Sequence, residues 1–180
     1  SCTTNCLAPV AKVLHDNLEI LKGFVTTIHA VTNDQNAADA SHNDLRRARA
    51  AYSSMIPTST GAAKAIGKVI PELNGRLDGT AIRVPTANVS MIDFCFLANK
   101  SITADNLNKL IKAAAAGSMS RVLGYTEEEL VSIDFNQTIE SSYFDATGTK
   151  VLKDNFIRIA AWYDNEWAFS VRMLDIAKNF

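Results

Sequence analysis

The chain opens Ser1-Cys2-Thr3-Thr4-Asn5-Cys6, setting two thiols four positions apart. Such a pair is compatible with half of a metal site, a disulfide, or a nucleophile beside a bystander. A structural zinc site needs four N or S ligands, usually in short-spaced pairs. The one remaining cysteine is Cys95, and the histidines at 15, 29 and 42 form no close pair, so no metal site is expected. Residues four apart on a helix stack their side chains along the axis rather than facing each other, which disfavours a disulfide. Two readings stay open. Cys2 is a nucleophile at a helix start, where free N–H groups and the dipole favour a thiolate, or both cysteines are plain buried thiols.

His29 is the natural partner to weigh with Cys2. It ends an apolar stretch, so it is either a satisfied core residue or a base paired with the thiol. Thr58-Ser59-Thr60-Gly61 leads into a helical pattern and offers hydroxyls and N–H groups to an anion, or simply a cap. It is not a triphosphate-binding loop, because five residues separate Gly61 from Gly67-Lys68 and Val69 follows instead of Ser or Thr. Arg47 within Leu45-Arg46-Arg47-Ala48-Arg49, and Arg83, supply guanidinium forks that suit phosphate oxygens or form a surface charge cluster. Thr32, three residues past His29, could donate a hydroxyl to the same anion. In Trp162-Tyr163-Asp164-Asn165-Glu166-Trp167, Asp164 or Asn165 reads as a helix cap. Together a thiol, a histidine and two separate anion-binding sets suit acyl transfer on phosphorylated compounds.

These groups need a scaffold, and hydrophobic spacing supplies one. Leu7, Val10, Ala11, Leu14 and Leu18 predict an opening helix to about residue 17, with Pro9 able to bend it near Asn5. Gly23 to Val31 predicts a buried strand with His29 near its end. Residues 32 to 54 are polar and aperiodic, the mark of a functional loop or a partner contact. A helix is expected over 59 to 70 with Thr60 as N-cap, then strands at 80 to 85 and 89 to 98. A helix from Thr103 to Ala116 stops at Gly117, and strands follow at 130 to 136, 139 to 145 and 156 to 163. A closing helix, from about 165 to 180, carries Phe169, Met173, Ile176, Ala177 and Phe180 on one stripe. This is an α+β domain: a mostly antiparallel mixed sheet with helices on one face.

The 180 residues carry a net charge of -1, which gives no pull toward nucleic acid or anionic membranes. No apolar run approaches the ~20 residues of a membrane span. The odd, sparse set of three cysteines, with no signal peptide before Ser1, suits a cytoplasmic setting. The start without methionine suggests an excised domain or a fragment.

Seven stretches in order then resemble phosphorylating glyceraldehyde-3-phosphate dehydrogenases: SCTTNCLAPVAKVL, TTIHAVTNDQ, HNDLRRARAA, PTSTGAAKAIGKVIPELNGRLDG, RVPTANVS, LGYTEEELVSIDFN and WYDNEW. The resemblance covers that family's catalytic domain and closing helix; its N-terminal NAD(P)-binding domain, marked by G-x-G-x-x-G, is absent from these residues. It implies that Cys2 attacks glyceraldehyde 3-phosphate to form a hemithioacetal. His29 would deprotonate that species as hydride leaves, and inorganic phosphate would attack the resulting thioester to give 1,3-bisphosphoglycerate. By the same resemblance, Thr32, Arg47 and Arg83 hold the substrate's phosphate, while Ser1, Thr3, Thr60 and Gly61 hold the attacking phosphate. Asn165 binds the nicotinamide amide. The loop from about 33 to 49 reaches a neighbouring subunit in a homotetramer. Asp39-Ala40-Ser41-His42 looks like members that use NADP as well as NAD, so either cofactor is expected. Ala168 stands where these proteins carry Gly, and Val171 where Asn is common, so crowding is expected at the start of the closing helix. A sister family, the erythrose-4-phosphate dehydrogenases, shares the Cys and His, but the intact STGAAK stretch suits phosphate as the attacking group. Alone, residues 1–180 are expected to lack dehydrogenase activity and to act as an assembly domain.

Overall fold

The opening periodicity becomes a helix because its apolar positions share one face. In the computed structural model, which describes residues 1–153 and 155–178, helix α1 (Cys2–Leu18) buries Leu7, Val10, Ala11, Leu14 and Leu18. Ser1 caps it, its Oγ accepting from the Thr4 N–H at 3.2 Å. The helix continues through Pro9, at the cost of one ladder bond to the Asn5 carbonyl. It ends at Glu19, whose φ of 58° turns the chain back so that its N–H reaches the His15 carbonyl.

Under α1 lies one seven-stranded sheet. Its strands are β1 (Ile20–Ala30), β2 (Ile56–Ser59), β3 (Leu77–Val84), β4 (Ser90–Ala98), β5 (Leu123–Thr126), β6 (Ser142–Leu152) and β7 (Phe156–Tyr163). Their spatial order is β2-β3-β1-β4-β7-β6-β5. The β1–β3 and β5–β6 pairs are parallel and the other four antiparallel, which is the mixed α+β sheet expected from sequence. Helices α2 (Ala62–Val69), α3 (Ala104–Ala116) and α4 (Trp167–Ala177) complete the fold.

Side chains alternate across the sheet, so its two faces differ. Val25, Thr27 and His29 of β1 point into the layer shared with α1, whereas Phe24 on the opposite face is half exposed. The core between helices and sheet holds Phe94 and Phe96 of β4, Phe144 of β6, and Ile157 and Ile159 of β7 against Leu7, Val10 and Leu14. Each such side chain contributes ~1.5–3 kcal/mol on burial.

Several expected boundaries move. The strand expected at 130 to 136 is a 3-10 turn at Ser132–Phe135, because Asp134 accepts from the Val131 N–H at 2.8 Å and closes the chain on itself. Phe135 alone there is buried, stacked on Trp162 at 5.4 Å, while Val131 and Ile133 face solvent. The strand expected at 139 to 145 runs instead from Ser142 to Leu152, and β2 and β5 lie where no strand was expected. Helix α2 starts at Ala62 rather than near Ser59, because β2 holds Thr58 and Ser59 against Ala81 and Thr80 of β3. Gly61 is therefore its N-cap instead of Thr60. Thr103 caps α3 as expected, accepting from the Asn106 N–H, and Gly117 ends it.

The closing helix leaves Met173, Leu174 and Ile176 more than half exposed. Phe180, expected on its apolar stripe, lies outside the described residues. Ala168 is buried in the first turn of a regular helix, so its Cβ is accommodated there. No helix among the described residues is long and apolar enough to cross a membrane.

Candidate active site

Two consecutive elements bring distant residues together here: the first turn of α1 carries Cys2, and the end of strand β1 carries His29. The Cys2 Sγ lies 3.5 Å from His29 Nε2. His29 is buried, and its Nδ1 lies 2.7 Å from the Ala30 carbonyl. Burial, followed by the nearby Arg83 guanidinium, pushes His29 down to about 4, so the ring is neutral at pH 7. Cys6 lies one turn deeper, wholly buried, with Sγ 3.4 Å from Ser142 Oγ. Burial above all, with the neighbouring Cys2 adding to it, pushes the Cys6 thiol up to about 12. The two cysteines thus occupy different environments, one half-buried beside an imidazole and one sealed in the core.

The parallel pairing of β1 with β3 sets His29 directly opposite Arg83. Arg83 Nη1 sits 2.7 Å from His29 Nδ1 and 2.9 Å from the Ala30 carbonyl. Next along the edge, Arg47 comes in from the long loop. Its Nε donates to Thr58 Oγ1 at 2.7 Å and its Nη1 to Asp34 at 2.7 Å. The Thr32 N–H and hydroxyl both donate to Gln35 Oε1, at 2.9 and 3.2 Å. Arg47 and Arg83 therefore flank one side of the Cys2–His29 pair, with Thr32 following His29 on the adjoining loop.

On the other side, the N-termini of α1 and α2 meet, the Thr4 hydroxyl donating to the Ala62 carbonyl at 3.4 Å. Ser1 is occupied as a cap, and the Thr60 hydroxyl accepts from the Ala62 N–H at 3.2 Å. Thr3 is buried, its hydroxyl 2.8 Å from that of Tyr163. What Thr3 offers an anion is thus its backbone N–H in the first helical turn. Ser1, Thr3, Thr60 and Gly61 fall in one neighbourhood of two helix starts.

The N-cap of α4 is Glu166, without a side-chain cap bond, rather than the expected Asp164 or Asn165, and Asp164 lies two residues ahead of it. The Asp164 Oδ1 accepts from the N–H groups of Glu166 and Trp167, and its Oδ2 from Asn88 and the Gln137 N–H. Asn165 is left for another task. It is buried, with Oδ1 accepting from Ser90 Oγ at 2.9 Å, and Ser90 Oγ in turn accepts from the Ala30 N–H. That relay ties Asn165 to the residue beside His29. An open polar cleft of about 650 Å³ adjoins it, lined by Thr32, Asn33, Gln35, Ala51, Ala87 and Glu166 among others.

Sequence reading missed Tyr163, Thr27 and Ser90. The Tyr163 hydroxyl lies 2.8 Å from both Thr3 and Thr27, and its ring meets His29 edge-on at 5.9 Å. It fastens α1, which carries Cys2, to β1, which carries His29. One signal was available: Thr27 stands two residues before His29, hence on the same face.

Sequence comparison with known proteins gives the family. Residues 1–165 match the family described as glyceraldehyde 3-phosphate dehydrogenase, C-terminal domain. The chain is 59% identical over 177 residues to glyceraldehyde-3-phosphate dehydrogenase of Cereibacter sphaeroides, covering 98% of this chain and 53% of that protein. It is 58% identical to the enzyme of Xanthobacter flavus with the same coverage, and 54% identical to glyceraldehyde-3-phosphate dehydrogenase 1 of Bacillus cereus. The chain thus spans about half the length of the curated relatives it matches. With a family model matching residues 1–165, from the start of α1 to beyond the last strand, this chain belongs to the glyceraldehyde 3-phosphate dehydrogenase C-terminal domain family.

Proposed function

We propose that this chain is the catalytic part of a phosphorylating glyceraldehyde-3-phosphate dehydrogenase, converting glyceraldehyde 3-phosphate and inorganic phosphate to 1,3-bisphosphoglycerate. The observation that carries this reading is the 3.5 Å contact between Cys2 and a neutral, buried His29, flanked by two anion-suited sets. The Cys2 sulfur adds to the aldehyde carbon, giving a hemithioacetal whose oxygen lies against the Cys2 N–H at the start of α1. His29 Nε2 takes that hydroxyl's proton, and the carbon loses its hydrogen with two electrons to leave a thioester. Phosphate oxygen then attacks the thioester carbon and the Cys2 thiolate departs. Arg47, Arg83 and Thr32 hold the phosphate already on the substrate. Ser1, Thr3, Thr60 and Gly61 hold the one that attacks.

A bound nicotinamide nucleotide, NAD or NADP, supplies the hydride acceptor. The residues fit such a group: the buried Asn165 amide beside a polar cleft suits a carboxamide, its Nδ2 having, among the described residues, only a 3.4 Å contact to Glu166. The remaining cofactor contacts belong to a domain beyond these residues. The open sheet face, with Phe24 and Phe156 exposed, supports burial against another protein surface, which this reading takes to be other subunits of a cytoplasmic homotetramer.

The test uses the full-length protein with glyceraldehyde 3-phosphate, NAD or NADP, and with or without phosphate. Phosphate-dependent cofactor reduction that vanishes in Cys2→Ser is expected. Equal rates without phosphate, or preference for erythrose 4-phosphate, would refute it. Residues 1–180 alone are expected to reduce no cofactor.

A further inference from the structure

Ser90 ties two strands to the segment that opens the closing helix, and it does so through one hydroxyl. The antiparallel register of β4 and β7 sets Ser90 opposite Tyr163, two residues before Asn165. Ser90 is buried, and its Oγ has two neighbours: the Ala30 N–H at 3.0 Å and Asn165 Oδ1 at 2.9 Å. The Ala30 N–H can only donate, so it takes a lone pair of the hydroxyl oxygen and leaves the hydroxyl proton for Asn165. Among the described residues that proton has no other acceptor. The Asn165 atom facing Ser90 must therefore be the carbonyl oxygen, and the NH2 group turns the other way.

A second group favours the same orientation. Asn165 Nδ2 lies 3.4 Å from Glu166 Oε1, and Glu166 lines the polar cleft. Turning the amide over would set its oxygen against that carboxylate and leave the buried Ser90 proton without an acceptor. The backbone holds Ser90 where this works. Val89, buried just before it, has a φ of 68°, a left-handed conformation that is costly for a β-branched residue. Asn88 pins that turn, its Nδ2 donating to Asp164 Oδ2 and to Asn136 Oδ1, both at 2.8 Å.

We propose that Ser90 is a positioning residue that locks the Asn165 side chain with its NH2 group toward the cleft, so that Asn165 reads the oxygen, not the nitrogen, of a nicotinamide carboxamide. One NH2 proton faces Glu166 and the other is left for the ligand. A ring substituent that accepts a hydrogen bond is selected, and one that only donates is rejected. The same hydroxyl holds Ala30, next in the chain to His29, so the holder of the ring and the strand carrying the base share one anchor. This inference rests on the reading of Asn165 as the residue that meets the nicotinamide. It adds which atom of that group is read and what enforces the choice.

The test measures binding to the full-length protein by calorimetry, with no aldehyde or phosphate present. The probes are NAD, its acetylpyridine analogue, which keeps the oxygen and lacks the NH2 group, its aminopyridine analogue, which keeps an NH2 group and lacks the oxygen, and ADP-ribose, which has no ring. Wild type is expected to bind the acetylpyridine analogue within about twofold of NAD and the aminopyridine analogue about fivefold more weakly, the factor for one ordinary hydrogen bond. Ser90→Ala is expected to lose about fivefold for NAD and for the acetylpyridine analogue, and to bind the aminopyridine analogue and ADP-ribose as wild type does. A wild type that prefers the aminopyridine analogue overturns the proposal, since Asn165 would then be presenting its oxygen. Unchanged affinities in Ser90→Ala overturn it as well. So do equal losses for all four probes, the result of a merely structural role that weakens the whole site. Should Ser90→Ala fail to fold, the wild-type preference still decides. Phosphate-dependent dehydrogenase activity is assayed on the same preparation. An enzyme inactive on glyceraldehyde 3-phosphate that shows the acceptor preference, and loses it in Ser90→Ala, would sink the proposed reaction and spare this inference, whereas an active enzyme without that preference would do the reverse.

Discussion

Consider lowering the pH from 7 to 4 in a chloride buffer. His29 titrates near 6.5 when unfolded and is pushed down to about 4 in the fold, chiefly by burial and then by Arg83. Between those values the unfolded chain binds a proton that the folded chain refuses. Stability therefore falls as the pH drops through this window, and the loss is complete below about pH 4. At 1.36 kcal/mol per unit, His29 alone removes roughly 3 kcal/mol. Against a total of about 5–15 kcal/mol for an ordinary domain, that is a substantial share. The exposed carboxylates Asp39, Asp44 and Glu127, held down by backbone N–H groups or by cations, lose their contribution only at the acid end of the window and below it. They also cancel in a comparison with His29→Gln, which lacks the titrating ring. Urea unfolding of residues 1–180 at pH 7, 6, 5 and 4.5 measures both proteins. Wild type should lose about 2.5 kcal/mol more than the variant from pH 7 to 4.5, with equal m-values. Parallel stability curves would show that His29 is protonated in the fold and would refute the argument from burial.

Two further outcomes follow from the same contacts. Under native conditions iodoacetamide should label Cys2 faster than Cys95, and should leave Cys6 unlabelled, since Cys6 is sealed and pushed up to about 12; mass spectrometry of the digested protein reads the order, and equal labelling of all three would contradict it. Tyr163→Phe strips the partner from the buried Thr3 hydroxyl, whereas Thr27 keeps the Met91 carbonyl at 3.2 Å, so a loss of about 1–3 kcal/mol is expected in a urea midpoint. A shift within error would mean that Tyr163 acts only through its ring.

What was legible from sequence was local. The stripe of α1, the cap at Thr103, and strand β7 follow from patterns that neighbouring residues set by themselves. So does the helix-start position of Cys2, which separates it from Cys6. The resemblance supplied candidate partners for both. The strand expected at 130 to 136 failed because an Asp134 side chain satisfied the backbone more cheaply than a sheet neighbour. Strands β2 and β5 are four residues each and owe their existence to partners distant in sequence. Pairing was the part that only the tertiary structure decided. A parallel register between β1 and β3 sets Arg83 opposite His29, and no pattern within either segment encodes it. Packing of α1 on the sheet then brings a thiol and an imidazole, 27 residues apart, to 3.5 Å. The physical reason is that periodicity reports which face of an element is buried, whereas a site depends on which faces meet.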